Sequence, residues 1–476
     1  MANNVLFILS DEHARDISGC YGNQIVQTPN IDALSARGVT FENAYCNSPI
    51  CVPSRASLAT GEYPHRTRYW DNAQPYDGRV PTWHHHLRGA GHEVVSIGKL
   101  HYRSPDDDAG FSEIHHPIYV PDGQGDVIGL LRKNGRPRKA ASAMADKVGR
   151  GMSGYSEFDD RVAGAAEKWL SNQAGTSDKP WILFVSFVLP HFPLIAPEPF
   201  FDMYDGVPIP MPDQYVLDER PVHSGVDAYR KSFNYDDYFD EPKVRTALQA
   251  YYGMCSFMDH NVGRVLSALS AAGLADDTVV IYASDHGESL GNRGLWGKSV
   301  FYEDSAAVPM IMAGPGVAKG RRCKTPTSLV DIYPTIIQSA GGQLDERERR
   351  LPGSDLRDIA QRSDQERVVF SEYHAAGSTT GGFMVRKGDW KLVYYVGHPP
   401  QLFDLASDPR ETTDCSGQKK TAAILADLLA ELRRIVDPEA ADARAFADQA
   451  KRIEQLGGID AIRAKAEIGF TPAPKS

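Results

Sequence analysis

Cysteine is scarce in this chain, six among 476 residues, and one of them opens the run Cys51-Val52-Pro53-Ser54-Arg55, which continues Ala-Ser-Leu-Ala-Thr to Gly61. Proline near the first helical position and a glycine stop predict a helix of about two turns over 54–60, with Cys51 just before its amino end. A helix N-terminus favours anions, and Arg55, one turn along, adds a fixed charge whose planar fork suits tetrahedral oxyanions. Position 51 is therefore expected to face an anion-binding site. The plainer alternative is a buried structural cysteine, since free Cys packs as a small hydrophobe.

Further ionisable groups stand directly after apolar runs. "NVLFIL" at 4–9 is followed by Ser10-Asp11-Glu12, "EVVSIG" at 93–98 by Lys99 and His101, "WILFVSFV" at 181–188 by His191, and "TVVIYAS" at 278–284 by Asp285 and His286. Asp11, Asp285 and His286 offer two carboxylates and an imidazole, a set suited to Mn²⁺, Mg²⁺ or Ca²⁺. Calcium prefers all-oxygen shells, so His286 favours manganese, with Glu12 either a further ligand or a neighbour. Taken singly, each aspartate after a strand also reads as a cap or turn residue.

Such groups act together only if one scaffold brings them to one edge. Continuous apolar runs suit strands covered on both faces, as in a parallel sheet. Helical patterns lie between them at 28–38, 161–172 and 262–273. The alternation predicts an α/β fold with a large, mostly parallel central sheet flanked by helices, whose ligands bind beyond the carboxyl ends of the strands. From 366 the pattern changes to short strands with glycine turns, then a helix at 419–436 and a charged, alanine-rich tail whose proline-containing end suits a crossing to a partner subunit. We therefore expect a catalytic unit over 1–365 and a smaller α+β subdomain with an antiparallel sheet over 366–476. The long segments 104–160 and 202–243 are too long for plain connectors and suit site walls or subunit contacts.

Composition excludes several classes. The formal net charge of −11 disfavours nucleic acid and anionic membranes, so an anionic substrate must meet a local positive site. The cysteines form no CxxC pair and no dense framework, which argues against a zinc ribbon or a disulfide scaffold and for a reducing compartment. The amino terminus lacks a signal-peptide pattern and no apolar run approaches a membrane span, so a cytoplasmic location is expected. The basic run 132–139 reads as a solvated loop. "WHHHLRG" at 83–89 reads as structural or surface, because consecutive helical residues point to different faces. Trp70, Trp296, Tyr102 and Phe192 lie beside the chemistry-bearing blocks; they read first as ordinary wall packing and second as candidates to stack on a leaving group.

Three chemistries compete for Cys51. A phosphatase-type thiolate loop needs arginine where Ser57 stands, and a papain-like thiol leaves Asp11 and Asp285 without a purpose. The third is a resemblance. C-x-P-S-R at Cys51 to Arg55, continuing "ASLATG", resembles the signature of the type I sulfatases of the alkaline phosphatase superfamily. "LFILSDE", "TPNIDALSARGVTFENAY", "GKLHY", "LPHFP", "SDHGESLGNRGLWGKSVFYE", "VPMIMAGPG" and "LVDIYPTI" follow in that family's order. "GDWKLV" and "LFDLASDP" resemble its small domain.

The resemblance implies hydrolysis of an aryl, small alkyl or sugar sulfate monoester to an alcohol and sulfate. It implies that a formylglycine-generating enzyme converts Cys51 to formylglycine, whose hydrate is the nucleophile. Asp11, Asp285 and His286 would hold one divalent metal, calcium or manganese, that also contacts the modified Cys51. Arg55 would fix the hydrate, Lys99 and Lys298 would grip the ester oxygens, His191 would serve the leaving side, and His101 would take the hydrate's proton. Glu12 and His286 stand where many members carry Asp and Asn, as in the branch with choline sulfatases and phosphonate monoester hydrolases. A phosphonate monoester or phosphodiester hydrolase is thus the alternative, and an unmodified anion-binding relative a second. The long tail makes a homodimer or tetramer reasonable.

Overall fold

The structure is a computed structural model, and it describes residues 2–133, 137–172, 179–465, 467 and 469–474. The apolar runs become strands covered on both sides. The main sheet contains β1 (Asn4–Asp11), β2 (Gly38–Phe41), β3 (Val94–Lys99), β4 (Glu113–Ile118), β5 (Ile182–Pro190), β6 (Thr278–Ser284), β7 (Met310–Ala313) and β8 (Arg321–Cys323). Its eight strands run in the order β8-β2-β7-β6-β1-β5-β3-β4. Only β7 pairs antiparallel to its neighbours; every other pairing in this sheet is parallel. Val5 to Leu9 and Val279 to Ala283 lie in the two central strands, almost without exposure, which explains why their sequences do not alternate.

Helices cover both faces: α1 (Pro29–Ala36), α2 (Cys51–Thr60), α3 (Trp83–Gly89), α4 (Gly154–Asn172) and α5 (Glu241–Ala271). Two hydrophobic clusters form, one on each side of the sheet. Leu6 and Ile8 pack with α4 and α5, whereas Val5, Phe7 and Leu9 pack with Leu58, Leu87 and Ile336. The period of two along β1 thus feeds two cores.

A second sheet is antiparallel, β9 (Val368–Tyr373), β10 (Gly382–Lys387), β11 (Trp390–Tyr395) and β12 (Gln401–Asp404), in sequence order. Leu428 and Leu432 of α6 (Ala422–Ile435) pack on it, and α7 (Pro438–Gln455) and α8 (Gly458–Arg463) follow. Among the described residues no helix is long and apolar enough to cross a membrane.

One expectation is corrected here. The run 132–139 is not a solvated loop at its described ends. Arg132 donates to the Ser378 carbonyl and Arg138 is buried between Asp126 and Glu467, at 2.8 and 2.7 Å, because acids remote in sequence neutralise both; residues 134–136 lie outside the described residues. Residues 469–474 lie against Tyr155 and Arg161 of the same chain. The histidine run behaves as read, with His84 bonded to the Ala109 carbonyl, His85 in a capping box with Thr82, and His86 paired with Glu348.

Candidate active site

Four adjacent parallel strands, β3, β5, β1 and β6, end at one edge and deliver Lys99, His191, Asp11, Asp285 and His286 there. The chain turns sharply just past two of them: Glu12 and His101 hold φ of 68° and 59°, a left-handed conformation that non-glycine residues adopt only when their surroundings enforce it. The enforcing bonds at Glu12 are its N–H to Asp285 Oδ1 at 3.2 Å and its carbonyl, which accepts from Tyr251 Oη at 2.6 Å.

Helix α2 points its amino end at this edge. It begins at Cys51 itself, so Cys51 is the first helical residue rather than the one before, and Pro53 is the third. Gly61 terminates it in the left-handed conformation, φ 69°. The thiol Sγ lies 3.1 Å from His286 Nε2 and 3.6 Å from Asp11 Oδ1. Burial, followed by the Asp11 carboxylate, pushes this thiol up to about 12, so the unmodified side chain without a cation beside it stays neutral.

Arg55 joins both carboxylates. Its Nε donates to Asp285 Oδ2 at 2.7 Å and its Nη2 to Asp11 Oδ2 at 3.0 Å, while Nη1 reaches the Lys99 carbonyl and Ser186 Oγ, each at 2.9 Å. Lys99 Nζ stands 2.5 Å from Asp11 Oδ2. Burial pushes the Asp11 carboxyl up, but Lys99 and Arg55 outweigh it and hold the group well below the usual range.

His286 Nε2 lies 3.7 Å from Asp11 Oδ1 and 3.6 Å from Asp285 Oδ1. Its Nδ1 sits 3.0 Å from the Gly287 carbonyl, which accepts the ring N–H and leaves the Nε2 lone pair facing the carboxylates. Ligands about 2.4 Å from an ion are roughly 3.4 Å apart along an octahedral edge. The buried group Asp11, Cys51, Asp285 and His286, whose donor atoms lie within 4.8 Å of one another, therefore fits one divalent cation.

Glu12 faces elsewhere. Its Oε2 accepts from Lys298 Nζ at 2.8 Å and lies 3.3 Å from His191 Nε2. Asp11, Glu12 and His191 form a second cluster with ligand-like spacing, but the Lys298 ammonium is bonded to two of its three members. His191 Nδ1 stands 2.7 Å from the Phe192 carbonyl, so it carries the hydrogen and Nε2 accepts from Lys298 Nζ at 2.8 Å.

A cavity of about 420 Å³ opens above these groups, with Cys51, His101, His191 and Lys298 on its floor. Its walls include the aromatic rings of Phe192, Tyr229, Phe233, Tyr235 and Phe470. Of the four aromatic residues singled out in the sequence, only Phe192 lines it. Trp70 packs edge-on against His374, Trp296 stacks on Phe239, and Tyr102 lies tilted against Tyr76. Sequence reasoning missed Ser186, Phe470 and Thr471. Ser186 lies inside the apolar run of β5, where a lone buried hydroxyl was the available signal; the tail carries no motif at all.

Comparison with known proteins agrees with the geometry. The sulfatase family matches residues 3–342, and the family described as N-sulphoglucosamine sulphohydrolase, C-terminal, matches 291–437. The chain is 35% identical over 462 residues to a choline-sulfatase of Rhizobium meliloti (strain 1021), covering 94% of this chain and 90% of that one. It is 32% identical over 441 residues to human arylsulfatase K, covering 87% and 78%. Among solved structures it resembles the phosphonate monoester hydrolase of Agrobacterium radiobacter, with TM-score 0.71, 26% identity and coverage of 91% and 95%. A 2-O glycosaminoglycan sulfatase at 22% identity and TM-score 0.72 shows the same fold.

Proposed function

The chain belongs to the sulfatase family and is a sulfuric ester hydrolase, and we propose that it works at Cys51 as formylglycine, matured by a formylglycine-generating enzyme. The observation that carries this reading is the seat of Cys51: first residue of a helix, against two buried carboxylates clamped by Arg55 and beside His286. A neutral, buried thiol is a poor nucleophile, whereas a hydrated aldehyde supplies an oxygen. Asp11, Asp285, His286 and the residue at 51 would hold the divalent cation, and the imidazole favours manganese over calcium. When bound, the cation supplies charge that acidifies an oxygen nucleophile and polarises the ester.

The chain's own residues do the rest. Arg55 fixes both carboxylates, and Lys99 and Lys298 bind the non-bridging oxygens of the sulfate. An oxygen of the hydrated residue 51 bonds to sulfur as the bond between sulfur and the alcohol oxygen breaks, and the departing oxygen takes its proton from Lys298 Nζ, which His191 Nε2 orients. His101 takes the proton that must leave position 51 for sulfate to be expelled. Residues 1–365 act as the catalytic unit and 366–476 as the subdomain that closes it. The substrate is an aryl, small alkyl or sugar sulfate.

The likeness to a phosphonate monoester hydrolase at TM-score 0.71 supports a second reading, the same nucleophile acting on phosphonate monoesters or phosphodiesters. The deciding measurement is the ratio of kcat/KM for p-nitrophenyl sulfate to that for p-nitrophenyl phenylphosphonate, with Cys51→Ala as control. Incomplete modification cancels in the ratio. A ratio above one is expected; a phosphonate preference moves the protein to the second reading, and turnover surviving in Cys51→Ala refutes both.

A further inference from the structure

The segment 469–474 lies past every motif of the sequence resemblance, yet it reaches the floor of the cavity. The Tyr155 hydroxyl donates to the Thr471 carbonyl, and Arg161 Nη2 donates to the Pro474 carbonyl at 2.8 Å. The Phe470 ring meets Tyr155 and Phe192 edge-on, at centroid distances of 5.5 and 5.9 Å. Upstream, Glu467 holds Arg138. The segment is thus seated on α4, on the turn after β5 and on the cavity wall.

Between those anchors, Thr471 Oγ1 lies 2.9 Å from His101 Nε2. His101 is buried, and its other ring nitrogen, Nδ1, is buried without a hydrogen-bond partner among the described residues. Its backbone N–H is bonded to the Ile118 carbonyl at 2.7 Å, and because Nε2 is the ring nitrogen with a partner among the described residues, the group facing Nε2 settles the ring's hydrogen. A neutral imidazole carries one N–H and one lone pair, and the bond made by one nitrogen decides which is which.

We propose that Thr471 is a positioning residue for His101. Its hydroxyl oxygen accepts from Nε2–H, which keeps the lone pair on Nδ1 as the site that takes a proton, and Phe470 beside it forms the wall against which the leaving alcohol packs. The inference rests on the assignment of His101 as proton acceptor in the proposed function. It makes the carboxy-terminal segment part of the active site.

The test uses the full-length, matured, metal-loaded enzyme. Thr471→Val keeps the shape and removes the acceptor, Thr471→Ser restores it, and Phe470→Ala removes the wall. For Thr471→Val a loss of about 10- to 100-fold in kcat is expected, with KM for p-nitrophenyl sulfate within about twofold. Thr471→Ser should recover within about threefold, and Phe470→Ala should act chiefly through KM. The ¹⁵N shifts of the His101 ring supply a readout independent of turnover. They should report Nε2–H in the wild type and in Thr471→Ser, and a tautomer mixture in Thr471→Val. An unchanged tautomer in Thr471→Val, or equal losses in Val and Ser variants, would overturn the proposal. Absence of sulfatase turnover in the wild type would instead strike the functional reading, while the ring shifts would still decide the role of Thr471.

Discussion

Replacing Arg55 by methionine keeps most of its volume and removes its charge, which isolates what the guanidinium does for the buried carboxylates. Asp11 would retain Lys99 Nζ at 2.5 Å, but Asp285 Oδ1 would retain only the Glu12 N–H at 3.2 Å and Oδ2 would lose its 2.7 Å partner. The penalty therefore falls mainly on Asp285. Breaking a buried ion pair by removing one partner costs about 3–5 kcal/mol. With an unfolding entropy of about 2.1 cal/mol/K per residue, a chain of 476 residues loses roughly 1 °C of Tm per kcal/mol, so a fall of about 3–5 °C is expected in EDTA. A divalent cation bound to Asp11 and Asp285 would replace the missing charge, so saturating Mn²⁺ should narrow the gap between variant and wild type. Scanning calorimetry of both proteins, with and without Mn²⁺, gives the four temperatures. A variant within about 1 °C of wild type in EDTA would refute the clamp.

Asp159 accepts from the N–H groups of Val188 and Leu189, both at 2.8 Å, at the end of β5. Asp159→Asn keeps one acceptor and turns a donor toward the other N–H, so a loss of about 1–3 kcal/mol, read by thermal melting, should accompany a lower kcat because His191 follows this strand. Glu372 is buried between His65 and His374; burial pushes its carboxyl up, but His65 and His374 hold it down at about 2. Its folded-state value lies below the ordinary one, so its contribution is present above about 4.5 and lost as pH falls toward 2. Melting curves of Glu372→Gln should lie below wild type at pH 7 and converge with it below pH 4.5, and a constant gap would contradict the sign. Inorganic sulfate should raise the melting temperature of the metal-loaded protein and lose that effect in EDTA; protection that survives chelation would show that the side chains alone hold the anion.

Local signals made the scaffold legible. The apolar runs of β1 and β6 and the glycine stop of α2 depend on neighbours in sequence. The start of α2 was displaced because Pro53 reads as a first-turn residue; it sits third, where its missing N–H is still one the helix leaves unpaired. Arg132 and Arg138 could not be read, since their partners Asp442 and Glu467 are some 300 residues away and local charge density says nothing of them. Thr471 is the same case inside the site. One hydroxyl 370 residues from His101 has no periodicity to announce it.

The charge balance ties these levels together. The chain carries net charge −11, and its site gathers Arg55, Lys99 and Lys298, as an anion requires. Each of them is already engaged, Arg55 by Asp11 and Asp285, Lys99 by Asp11 and Lys298 by Glu12. Glu288 is buried beside Glu12 and burial pushes both carboxyls up, so with one of the pair neutral the carboxylates still match the cations. Side chains alone therefore give a neutral or slightly negative floor, in a protein whose long-range field repels anions. A divalent ion held by Asp11, Asp285 and His286 would reverse that sign locally and would take over the Asp11 charge that now engages Lys99. The carboxylates that look unsuited to an anion site are what would let a cation create one.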